Sequence, residues 1–155
     1  MTAALTPCAG KCSTVFGDSV CRGCRRFSHE VIHWNSYSLT EQKLIWQRLD
    51  SQLDQILLPL VQISDAQALD DFLRSQQVRL VPGSGQGRKI YHALRICQRS
   101  PDCLQRAGLK ILPEHVNRVW QLFEQRIYSL AVASFELAWL RAAQFGGLAT
   151  EQVTD

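Results

Sequence analysis

Cys8, Cys12, Cys21 and Cys24 stand close together near the start of this 155-residue chain, spaced C-x3-C, then eight residues, then C-x2-C. Two close pairs of thiolates joined by a short loop suit a tetrahedral metal centre, because each pair bites from one tight turn and the loop brings the pairs face to face. Gly10 and Gly23 lie inside the two turns. Glycine lets the backbone curl so that N–H groups point at sulfur. Four thiolates on a divalent ion carry a net charge of about −2. Lys11, Arg22, Arg25 and Arg26, each within two residues of a cysteine, can offset it. Such a site suits zinc or a single iron, and four cysteines also hold iron–sulfur clusters, so spacing leaves the metal open.

A second string competes. His29-Glu30-Val31-Ile32-His33 spells H-E-x-x-H, which on a helix places two histidines one turn apart with a glutamate as general base, the pattern of a zinc peptidase. Here it opens a short helix that meets a polar break at Asn35-Ser36-Tyr37, and no obvious third ligand follows, Glu41 and Asp54 being no more than candidates. The alternatives are a chance string with solvated histidines, or one histidine replacing a cysteine at the neighbouring site. Gly83, Gly85 and Gly87 before Arg88-Lys89 invite a phosphate-loop reading, but Ile90 stands where that motif needs Ser or Thr, and a flexible loop is the expectation. Cys97 and Cys103 read as buried or half-buried thiols.

Residues 1–27 show no periodicity and are too few to bury a core, so something else must hold them together. From Ser28 the pattern turns helical. Ser28 is read as the cap of a short helix through Trp34, and Ser38 with Glu41 makes a capping box. Trp46, Leu49, Leu53, Ile56 and Leu60 form an apolar stripe that Pro59 kinks or ends. Ser64 and Gln67 open a helix with Leu69, Phe72 and Leu73 inward, and Val78–Val81 suits an extended segment. Ile90, Leu94 and Cys97 mark another helix, and a short one is expected over Asp102–Ala107. After Pro113, the residues Val116, Trp120, Phe123, Ile127, Leu130, Ser134 and Leu137 keep helical rhythm up to Gly146-Gly147. Trp46, Trp120, Phe123 and Trp139 read as core. A helix so long needs a partner along its length, either the earlier helices or a second copy of the chain.

Composition narrows the class. Nearly half of the residues are hydrophobic, which predicts a folded globular protein. The net charge of +3 hides an uneven distribution: residues 76–126 hold nine basic and three acidic side chains. The basic residues at 79, 88, 89, 95, 99, 106, 110, 118 and 126 could meet a nucleic-acid or acidic protein partner. The sequence shows neither a signal peptide nor a membrane-length apolar run, so a cytoplasmic protein without a membrane partner is expected. Thiols stay reduced there, and clustered cysteines read as ligands before disulfides.

The run Pro7-Cys8, Cys12, Cys21-Arg22-Gly23-Cys24-Arg25-Arg26, then Glu30 and Trp34, resembles the bacterial family called domain of unknown function 1289, whose members are labelled predicted iron–sulfur proteins of the YdhL type. The likeness covers about residues 6–50 and implies metal binding by the four cysteines; Glu30 and Trp34 belong to its pattern, whereas His29 and His33 do not. A mainly α-helical protein is therefore expected, with a small N-terminal four-cysteine metal knuckle in a module over 6–50, a helical region over 51–148 and a tail over 149–155. The leading functional expectation is a non-enzymatic metalloprotein with one zinc or iron–sulfur centre, serving interaction or regulation. An iron–sulfur redox or sensor protein comes next, then the zinc peptidase.

Overall fold

The structure is a computed structural model describing residues 5–151, with side chains through Phe145. Its five α-helices are α1 (Ser28–His33), α2 (Leu39–Leu60), α3 (Ala66–Ser75), α4 (Gln86–Cys97) and α5 (Val116–Glu151). Short 3-10 turns lie at Ser13–Phe16, Trp34–Ser36, Pro101–Cys103 and Pro113–His115. The described residues include no strand, only the isolated bridges Val20–Phe27 and Ile63–Leu109. Val78–Val81 carries no regular secondary structure. No helix among the described residues is long and apolar enough to cross a membrane.

Helix starts follow capping chemistry. Ser38 accepts from the Glu41 N–H at 3.2 Å while the Glu41 carboxylate accepts from the Ser38 N–H at 2.7 Å, the reciprocal box its sequence announces. At α3 the cap lies one residue later than Ser64: Asp65 Oδ1 accepts from the Ala68 N–H at 3.0 Å, and Gln67 instead donates to Asp71. At α1 the capping residue is Phe27 rather than Ser28. The α2 helix continues through Pro59 to Leu60.

The main core packs α2, α3, α4 and the first turns of α5. Leu53, Leu57, Leu69, Leu73, Ile90, Leu94, Val116 and Phe123 are buried there. The α2 stripe is turned slightly from the expected one: Ile45, Leu49, Leu53 and Leu57 face inward, and Ile56 and Leu60 lie at its edge. Cys97 and Cys103 are buried in this core. They are not separate thiols but a disulfide, with Cα atoms 5.6 Å apart. The 3-10 turn after Pro101 folds the chain back over the end of α4 and sets them side by side.

At the start of α4, Asp54 Oδ1 accepts from the Gly87 N–H at 2.7 Å, and a Cβ on Gly87 would lie 2.6 Å from the Asp54 backbone nitrogen. A carboxylate of the chain therefore occupies the place where a phosphate loop would bind phosphate, and the glycines serve close helix packing. The basic band is also partly consumed internally. Arg88 is buried against Asp50 at 2.7 Å, and Lys89 pairs with Asp70 at 2.7 Å.

The last helix runs through Gly146-Gly147 to Glu151, beyond its expected end. It packs firmly only as far as Phe135. Trp139 is 65% exposed rather than core, and Leu137, Leu140 and Phe145 are exposed with it, because the helix extends past the elements available to cover it.

His92 on α4 gives the fold an acid-sensitive point. Burial, reinforced by the positive charges of Arg88 and Arg95, lowers its pKa to about 4. Between its ordinary value near 6.5 and about 4, the unfolded chain takes a proton that the folded chain refuses. Stability is thus retained above about pH 6.5 and falls as pH drops toward 4, by roughly 2–3 kcal/mol. Urea denaturation of the wild type and of His92→Gln across this window should show the loss in the former and a smaller one in the latter.

Candidate metal centre

The four cysteines sit on two loops pressed together. A Cβ on Gly23 would lie 2.5 Å from the Lys11 carbonyl oxygen and 3.6 Å from the Ala9 Cβ. Only glycine lets the Cys21–Cys24 turn approach the Cys8–Cys12 turn this closely. The Arg22 N–H donates to Ser13 Oγ at 2.8 Å, and the Cys21 thiol donates to the Lys11 carbonyl at 3.7 Å. The second turn is closed by its own backbone: the Arg25 N–H donates to the Cys21 carbonyl at 2.7 Å and the Cys21 N–H to the Arg26 carbonyl at 2.9 Å. Arg25 takes the left-handed conformation, φ 63°, to make this closure. Val20 and Phe27, on either side, are buried against Ala131, with Tyr128, Val132 and Phe135 of α5 around them. The module thus has almost no core of its own and borrows one from the last helix.

Donors converge on sulfur. The Gly10 N–H lies 3.4 Å from Cys8 Sγ, Cys12 Sγ lies 2.9 Å from Thr14 Oγ1, and Arg26 Nε donates to Cys24 Sγ at 3.3 Å. Burial opposes ionisation of Cys21, but hydrogen bonds from the Cys24, Ser13 and Gly23 backbone and from the Cys24 side chain outweigh it, lowering the pKa to about 7. Burial raises the Cys24 pKa despite Arg26. Proximity to a first thiolate opposes the second, so a cation shared between the two sulfurs would favour ionisation of both.

Cys21 and Cys24 are buried, Cys12 is half-buried and Cys8 is exposed. Among the described residues no group of three or more His, Cys, Asp or Glu side chains is gathered into a ready ligand cage. The structure therefore brings the two loops together and couples Cys21 to Cys24, while the sulfurs of Cys8 and Cys12 engage neighbours on their own loop.

Residues 6–53 match the family described as protein of unknown function (DUF1289). This segment belongs to the DUF1289 family. No curated protein and no solved structure matches the chain. The DUF1289 segment takes in both cysteine loops, α1 and α2 as far as Leu53, and so ends within a helix.

Inside the DUF1289 segment, Glu30 has a structural task. Its carboxylate accepts from the Phe27 N–H at 2.8 Å, which starts α1. It also takes a bidentate pair from Arg48 on α2, at 2.7 and 2.5 Å. The Arg48 guanidinium lies 4.0 Å from the centre of the Phe27 ring. Trp34 is buried, with the Arg26 guanidinium 4.9 Å from its ring centre. Glu30 therefore ties the knuckle to α2, and Trp34 backs the arginine that touches Cys24. A carboxylate with both oxygens committed to a guanidinium is not placed to take a proton from water. His29 and His33 are exposed. Sequence reasoning did not find Arg48, because nothing in the spacing of 18 residues links it to Glu30.

Proposed function

We propose that the DUF1289 segment is a metal-folded module, in which Cys8, Cys12, Cys21 and Cys24 hold one zinc or iron–sulfur centre, and that the protein is a non-enzymatic interaction or regulatory protein. The observation that supports this most is the glycine-only approach of the two cysteine turns, with N–H and guanidinium donors aimed at sulfur. A segment that lacks its own core needs such a crosslink, and either centre would use the same four thiolates. The commitment of Glu30 to Arg48 favours this reading over a peptidase.

Metal removal should act locally. On extraction with a strong chelator, hydrogen exchange should accelerate across residues 6–30 while the core amides of α2, α3 and α4 keep their protection. Unchanged exchange across the module would mean that the loops stand without a metal.

A further inference from the structure

A cavity of about 290 Å³ lies where the cysteine module meets α4 and α5. Lys11, Arg22, Arg25, Arg95 and Arg99 line it, against Glu124 as the one acidic residue in its wall. Tyr91, Trp120 and Phe123 complete it with aromatic surface. The cations come from three elements far apart in sequence, so the fold, not a local charge run, assembles them.

Arg25 is the residue that sets this cavity apart. Among the described residues, three arginines, Arg25, Arg26 and Arg88, are buried and Arg48 is half-buried. Arg88 faces Asp50, Arg48 faces Glu30, and Arg26 lies on the Cys24 sulfur. Arg25 is only 6% exposed, yet no carboxylate among the described residues lies within ion-pair distance of it. Its Nη1 donates to the Gly23 carbonyl at 2.7 Å, and its guanidinium is held 5.2 Å from the Tyr91 ring centre. A buried guanidinium without an anion is costly. Here it is fixed by a backbone carbonyl and a ring on the wall of a cavity with four further cations. Arg95 is fixed too, its Nη2 donating to the Ala9 carbonyl at 3.1 Å, which leaves the module, α4 and the cavity as one preorganised unit.

We propose that this cavity is an anion-binding site for a phosphate-bearing ligand, with Arg25 at its base, Arg95, Lys11 and Arg99 around the phosphate oxygens, and Trp120 beside the remainder of the ligand. Planar guanidinium groups supplied by different elements match the tetrahedral, multiply charged phosphate, and a volume of about 290 Å³ admits a small ligand or a chain terminus, not a duplex. The inference stands on the cavity and does not depend on the metal reading. A four-thiolate centre would supply negative charge beside Arg25, so the competing account is that these cations serve only to offset that centre.

The test is titration calorimetry on the full-length protein as purified, with inorganic phosphate, a nucleoside monophosphate and a 5′-phosphorylated single-stranded oligonucleotide as separate probes. Binding of any of them, weakened by added salt, is expected, and the tightest binder identifies the source of the phosphate. Lys11→Glu and Arg99→Glu change exposed side chains and should each weaken it by about tenfold or more, as loss of a charge-assisted contact does. Arg25→Gln should abolish it; should that variant fail to fold, the two surface variants still decide. No binding of any probe, or binding unaffected by both charge reversals, overturns the proposal. Metal loss in the two charge-reversal variants without any phosphate binding would assign the cations to the metal centre alone.

Discussion

Cys24→Ser should lose bound metal and, with it, the order of the N-terminal module. Cys24 is 5% exposed, its sulfur lies on Arg26, and Arg26 lies over Trp34. A serine there keeps the volume but supplies a hydroxyl, a poor ligand for zinc or iron. Structural zinc in small modules contributes about 10 kcal/mol or more of binding free energy that is also folding free energy. Removing one of four ligands should therefore take metal content from one centre per chain to near zero and lower the denaturation free energy of the module by several kcal/mol. Cys97→Ala, in the main core and outside the DUF1289 segment, supplies the control: it should destabilise the fold through its packing and its bridge to Cys103, yet leave the metal in place. Elemental analysis paired with urea denaturation separates these outcomes. A Cys24→Ser protein that keeps its metal, or loses no more than the roughly 1 kcal/mol expected of a lost buried hydrogen bond, would remove Cys24 from the site.

The second large effect concerns the link between the knuckle and the helical body. Arg48→Met should cost about 3–5 kcal/mol, because it strands the Glu30 carboxylate in the interior without its cation. The side chain of Glu30 is 6% exposed and that of Arg48 is 29% exposed. The reverse change should thus be milder: in Glu30→Gln the arginine can still reach water, and the amide oxygen can still accept from the Phe27 N–H. This asymmetry is the signature to look for in denaturation of the two variants. Equal losses would mean that the pair acts as a surface ion pair of small value. Glu30→Gln should also leave metal content unchanged, as a residue that ties α1 to α2 would, and unlike a ligand.

Much of this was legible from the chain itself. The helical stripes of α3 and α4 and the Ser38–Glu41 box lie where local periodicity and capping place them, because each rests on contacts a few residues apart. The cysteine spacing suggests two turns facing each other, whereas the closeness of that approach at Gly23 depends on the Lys11 carbonyl across from it. Other features depend on distant partners. Whether Trp139 is core depends on what lies beside the outer half of α5, and periodicity says only which face it shares. The roles of Arg88, Arg48 and Arg25 look alike in a list of charges, yet one faces Asp50, one faces Glu30, and one lines a cavity. The Cys97–Cys103 bridge runs against the expectation of reduced thiols, and the return of the chain after Pro101 is not visible as a pattern.

The central question for this protein is whether the four cysteines hold a metal. The direct measurement is elemental and acid-labile sulfide analysis, with an absorption spectrum, on full-length protein purified without oxygen. One centre per chain is predicted: a colourless protein with one zinc, or a brown one with iron and sulfide, and in either case lost on substitution of Cys24. A folded protein carrying neither zinc nor iron, with the four thiols free to react, would contradict it.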